Sequence, residues 1–150
     1  MKKFSFEFES VLSHRKINEE AALMVLGEAQ QLLEIEKNKK EQIVSQLNQV
    51  IERPEERQVG NDVSQFLQVE DSYIQGTKYR ITLAELDISR ASEVVHEAMS
   101  TYLEAQKQIR AIEYLKKKAY EEFLKKVNQE EQAALDDVLC AKSIRQGGCH

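Results

Sequence analysis

The second half of the chain places an apolar residue at alternating steps of three and four, almost without a miss. The series runs Ile81, Ala84, Ile88, Ala91, Val95, Ala98, Tyr102, Ala105, Ile109, Ile112, then Lys116, Ala119 and Phe123. A mean step of about 3.5 residues keeps one narrow seam turned toward a partner helix, as a coiled coil requires. The first half repeats the pattern in Ala22, Leu26, Ala29, Leu33, Glu36, Lys40, Ile43, Leu47 and Val50. Glu36 and Lys40 weaken that seam but help fix its register, and their spacing lets them pair along the helix.

Between the two stripes the pattern lapses at Pro54, the only proline. The residue before a proline is pushed out of the α region, so a first helix is expected over about residues 8–53, capped at Ser5 or Ser10. Residues 54–61 read as a polar turn. Asp62-Val63-Ser64-Gln65 then reads as an N-cap with its capping-box partner. The second helix is expected over about residues 62–143, with a flexible tail at 144–150. Before Ile81 its seam continues backward as Leu67, Glu70, Ile74 and Thr77; after Phe123 it stutters through Val127 and Glu131 and resumes at Ala134 and Val138. The fold class is therefore all-α: a long two-helix antiparallel coiled-coil hairpin, one domain over residues 1–150, with the C-terminal helix longer and projecting.

At 1.5 Å per residue the helices measure about 70 and 120 Å. With the turn centred near residue 57 or 58, facing residue numbers add to about 115, which sets Leu47 near Leu67, Leu26 near Ile88 and Phe8 near Lys107. About 30 residues of the second helix are then left without a partner, although they carry Leu115, Ala119, Phe123, Leu124, Val127, Leu135 and Val138. Such a stripe marks a surface awaiting a partner, either another protein or a second copy. A band of lysines and Arg110 from Lys107 to Lys126 runs along it, suited to steering the rod into an acidic cavity. Phe66, Val69 and Tyr73 form another stripe, displaced by one residue from the seam. They serve either as a cap over the hairpin tip or as a docking patch. Gly76 beside them allows bending or close approach.

Composition reinforces the rod. Charged residues make up 31% of the chain, Trp is absent and only five Gly occur, so a bulky core is not expected. The net charge of −5 argues against a nucleic-acid module. The start, MKKFSFEFES, has no apolar stretch of a secretory signal, and no run is long enough to span a bilayer, so a cytosolic protein without direct membrane insertion is expected. Its Phe4-Ser5-Phe6-Glu7-Phe8 is the longest strand-like alternation present.

Chemistry is sparse. There is no phosphate loop and no nucleophile–His constellation. His14 and His96 read as ordinary helical residues, and Cys140, Cys149 and His150 make a poor metal site on a Gly-rich tail. No catalytic, cofactor-binding or metal-ligating residue is expected, and the chain is not expected to be an enzyme.

Phe4-x-Phe6-x-Phe8-x-x-Val11-Leu12-x-x-Arg15-Lys16 with Glu19-Glu20, the segment Gln65-Phe66-Leu67-Gln68 with Ile74-Gln75, Ala111 to Lys118, and Leu135-Asp136-Asp137-Val138 share an order and spacing. Together they resemble the flagellar export protein FliJ family along nearly the whole chain. The resemblance implies a stalk-like component of the flagellar type III export apparatus, needed for flagellum assembly and motility. It implies docking on the hexameric export ATPase and on the cytoplasmic domain of the membrane export gate, and contact with export chaperones. It also implies a cytoplasmic protein held peripherally at the inner membrane at the flagellar base. On this basis gate contact is expected at Phe66, Val69 and Tyr73. Contact with the ATPase ring is expected at Phe4, Phe6, Phe8, Leu115, Lys116, Lys117, Lys118, Phe123, Leu124 and Val127. The chain departs from the family where it has Glu70 in place of an apolar residue and Tyr73 in place of a small one. Two alternatives remain: the stalk of a virulence-type secretion system, and a homodimeric structural rod.

Overall fold

The computed structural model describes residues 2–52 and 63–147, with side chains in the second segment described from Leu67 onward. Two helices account for nearly all of them: α1 (Glu9–Glu52) and α2 (Val63–Arg145), of 44 and 83 residues. They pack against each other as an antiparallel, all-α hairpin in which the second helix is the longer. The expected turn at 54–61 and the cap at Asp62 lie outside the described residues, as do Cys149 and His150.

Local chemistry explains where the helices stop. The Glu9 N–H donates to the Phe6 carbonyl at 3.3 Å, turning the chain into α1, and the Glu9 carboxylate sits where a helix N-terminus favours negative charge. Ser10 is inside the helix and Ser5 lies upstream of that turn, so the entry does not follow the expected serine caps. At the other end Lys142 and Arg145 occupy the last turn of α2, where cations suit the exposed carbonyls. Gly147 follows with φ of 80°, a left-handed stop that its missing Cβ permits, and donates to the Ile144 carbonyl at 3.1 Å.

The chain divides into two compact units, a central one (Glu19–Glu104) and a terminal one formed by Met1–Asn18 with Ala105–His150. In the central unit the periodicity of the sequence is realised almost residue for residue. On α2 Glu70, Ile74, Thr77, Ile81, Ala84, Ile88, Ala91, Val95, Ala98 and Tyr102 are buried or half-buried, and the described residues between them are exposed. On α1 the seam residues from Ala22 to Val50 are likewise buried or half-buried, including the charged Glu36 and Lys40, and of the residues between them only Gly27 and Val44 are not exposed. The tightest packing joins Leu26, Ala29 and Ala98, flanked by Val95 and Tyr102. A large side chain on one helix meets a small one on the other, which brings the backbones close. Burying a leucine of this kind stabilises by about 1.5–3 kcal/mol.

The register differs from the expected one by about ten residues, nearly three helical turns. Leu26 packs with Ala98 and not near Ile88, and Lys40 reaches across to Glu85 at 3.2 Å. Leu67, expected opposite Leu47, is instead half exposed. A seam with a regular heptad slides with little change in its apolar pattern, so the turn position alone could not fix the alignment. Large-to-small complementarity and the cross-helix Lys40–Glu85 pair select it. Glu36 accordingly pairs with Lys39 at 3.5 Å, one step away from the expected Lys40. Thr77 is the one buried polar residue among the described residues. Its hydroxyl donates to the Tyr73 carbonyl at 2.8 Å, so it enters the seam with its donor satisfied.

Neither Gly27 nor Gly76 is required for close approach, since a Cβ at either would meet nothing within 4 Å. Both therefore burden their helices with excess backbone freedom. Gly27→Ala is expected to stabilise the fold by roughly 0.5–1 kcal/mol. A thermal midpoint by circular dichroism that stays level or falls would contradict this.

Candidate functional site

The alternating phenylalanines ahead of α1 suit an extended segment, whose side chains point to opposite sides in turn. The structure uses them in this way. Residues 2–6 take no regular secondary structure and run as an arm along α2 within the terminal unit. Phe4 meets Tyr120 edge-on, with ring centroids 5.1 Å apart, and lies 5.5 Å from Phe123. Tyr120 and Phe123 stack on each other at 6.5 Å. Phe4 and Phe6 are half-buried, whereas Phe8 packs on Phe6 at 5.8 Å and stays largely exposed. Such aromatic pairs contribute about 0.5–1.5 kcal/mol beyond the area they bury.

Polar contacts hold the same alignment. Glu9 pairs with Lys116 at 2.8 Å, Arg15 donates to the Gln108 side-chain carbonyl, and Lys2 pairs with Glu130 at 3.3 Å. The expected neighbour of Phe8, Lys107, is displaced by the same shift of register that the central unit shows. Ala119, Phe123 and Val127, expected to lie bare on a projecting helix, are half-buried. The sequence reading began the first helix near residue 8 and gave the residues before it no part in covering α2. An extended strand covers more ground per residue than a helix, about 3.3 Å against 1.5 Å, so the arm reaches farther along α2.

Beyond the arm, α2 is unclothed. Every residue from Asn128 to Lys142 is exposed. Leu135, Val138 and Leu139 stand more than half in solvent. A groove of about 550 Å³, lined by Lys2, Phe123, Val127, Glu130, Glu131 and Ala134, leads from the end of the arm toward that stripe. Leu115 and Leu124 are also exposed. Of the expected lysines, Lys116 is held by Glu9, Lys117 is exposed, and Lys118 lies over the Tyr114 ring at 5.3 Å. The candidate ring-contact residues therefore form one neighbourhood in which Phe4 covers Phe123 while Leu115, Leu124 and Lys117 face outward.

The other candidate patch belongs to the central unit. Val69 is 70% exposed and Tyr73 45%, so both point off the seam. Phe66 lies in the first turn of α2, and its side chain lies outside the described residues. Tyr120, Lys2 and Glu130 are contributors that the sequence reading missed. The available signal was the strand-like alternation of Phe4-Ser5-Phe6-Glu7-Phe8, from which no extended segment was inferred. A larger groove of about 730 Å³, along Lys40, Val44, Asn48 and Ile88, contains none of the candidate residues.

No described helix is long and apolar enough to cross a membrane. The described residues contain no group of three or more His, Cys, Asp or Glu able to hold a metal ion. Comparison with curated proteins and with solved structures finds no match. The model of one family, described as flagellar FliJ protein, matches residues 4–148, a span that includes the arm, both helices and both candidate patches. The chain thus belongs to the flagellar FliJ protein family and is a flagellar export-related protein.

Proposed function

We propose that the chain is a non-enzymatic coupling stalk of the flagellar type III export apparatus. In this reading it docks on the hexameric export ATPase through the terminal unit and on the cytoplasmic domain of the export gate through Phe66, Val69 and Tyr73. It also meets export chaperones. It works in the cytoplasm, held peripherally at the inner membrane at the flagellar base, and motility depends on it. The observation that carries the reading is the bare apolar stripe of Leu135, Val138 and Leu139, more than half exposed on a helix that would gain nothing from it in water. Membership of a flagellar family favours this over a virulence-type system.

The same stripe supports a second reading, a homodimer joined through the end of α2. Light scattering across a concentration series separates the two, because a stalk awaiting a different partner stays monomeric on its own. Purified export ATPase and gate domain are the direct probes. Phe66→Ala and Tyr73→Ala should each leave helicity unchanged and weaken capture of the gate domain about fivefold or more, the usual scale for an aromatic anchor. Equal capture by wild type and both variants would remove the patch from the reading.

A further inference from the structure

Large-to-small packing fixes the alignment of the central unit only to within a heptad. With Leu26 packed on Ala98 and Lys40 reaching Glu85, facing residue numbers add to about 124. Ala84, Ala91 and Ala98 recur every seven residues on α2, and Leu26, Leu33 and Leu47 share one heptad position on α1. A step of one heptad therefore moves Leu26 from Ala98 to Ala91 and Leu33 from Ala91 to Ala84, again large against small. In the same step Ile43 moves from Ile81 to Ile74. The far end of the unit has room for it. α1 ends at Glu52, opposite about residue 72, while the seam of α2 continues to Leu67, which stands half exposed. The step lays Val50 against Leu67. Residues 53–62 reach across either gap, since an extended chain covers about 3.3 Å per residue.

Charge separates the two alignments. Lys78 lies seven residues before Glu85, so the step replaces the carboxylate beside Lys40 with an ammonium group. It also sets Leu47 against Glu70, and it draws Glu9 away from Lys116 and Phe4 away from Tyr120. We propose that the hairpin is a two-register element. Its second alignment lies one heptad away, with Val50 covering Leu67, and the Lys40–Glu85 pair helps to keep it the minor state of the free chain. At 1.5 Å per residue the step carries α1 about 10 Å along α2, and it changes the apolar surface beside Val69 and Tyr73. The two registers involve no partner and stand apart from the stalk reading.

Spin labels on Ser45→Cys and Ser92→Cys, both exposed positions, read the step in the full chain carrying Cys140→Ser and Cys149→Ser. The second register sets the labels about 10 Å farther apart than the first, so it gives a separate peak in the distance distribution. Lys78→Glu leaves the Lys40–Glu85 pair intact and offers Lys40 a carboxylate in the second register. It should raise the longer peak about threefold relative to the shorter. Lys40→Glu repels Glu85 and attracts Lys78, and should raise the ratio about tenfold or more. Salt at about 1 M should shrink both changes, because both are electrostatic. A single, shorter distance in the parent and in both charge variants, with ellipticity native, would overturn the proposal. A longer component that is broad, indifferent to salt or accompanied by lost ellipticity would overturn it too, since it would report unfolding. Should Lys40→Glu alone fail to fold, the exposed Lys78→Glu decides: a rise of its longer peak supports the second register, and an unchanged ratio refutes it.

Discussion

Ala98→Asp is expected to destabilise the protein by about 3 kcal/mol and to lower its thermal midpoint by well over five degrees. Ala98 is buried against Leu26 and Ala29, with Val95 and Tyr102 closing the sides. A carboxylate there has apolar neighbours and loses its water, and the helices must part to rehydrate it. The cost falls on a small core, because a two-helix seam buries one narrow strip where a globule buries a volume. Domain stabilities of about 5–15 kcal/mol leave little in reserve against such a loss. Glu97→Ala, one residue away and exposed, is the control and should shift the midpoint by no more than a degree or two. If both variants melt with the parent, the Leu26–Ala29–Ala98 packing is not what holds the central unit together.

Ending the chain after Glu131 should weaken capture of the export ATPase at least tenfold, about 1.4 kcal/mol, while leaving the remaining helices intact. The cut spares Gln108, Lys116, Tyr120, Phe123 and Glu130, which hold Arg15, Glu9, Phe4 and Lys2. It removes the exposed Leu135, Val138 and Leu139. Packing contacts therefore survive, as do the outward-facing Leu115, Lys117 and Leu124, and only the bare end of the stripe is lost, so the variant isolates the contribution of that end. Undiminished capture, with mean residue ellipticity unchanged, would place the ATPase contact elsewhere on the chain. A fall in ellipticity beyond that of the deleted residues would instead mean that the bare end supports the fold.

The seam was legible because a heptad is a local property. Which positions of α1 and α2 turn inward follows from residue spacing alone, and the buried positions from Ala22 to Val50 and from Glu70 to Tyr102 follow it. The outward turn of Val69 and Tyr73 was legible for the same reason, since one residue off the seam is about 100° around the helix. Alignment was not legible. Sliding one regular seam along another costs little in apolar pattern, and the decisive partners, Leu26 with Ala98 and Lys40 with Glu85, lie far apart in sequence. The arm was not legible: the alternation over residues 4–8 stood out, but no extended segment was expected from it, and nothing local named Tyr120 and Phe123 as the surface that Phe4 covers.

By itself the sequence determined two helices of unequal length, the inward face of each, and a surplus of apolar residues toward the end of α2, all of which depend on near neighbours along one chain. Only the tertiary structure decided which turn of one helix faces which turn of the other, and how far the N-terminal residues reach along α2 before its stripe is left bare. Those are contacts between segments distant in sequence, chosen by the fit of large against small side chains and by charge across the seam, and periodicity carries no record of either.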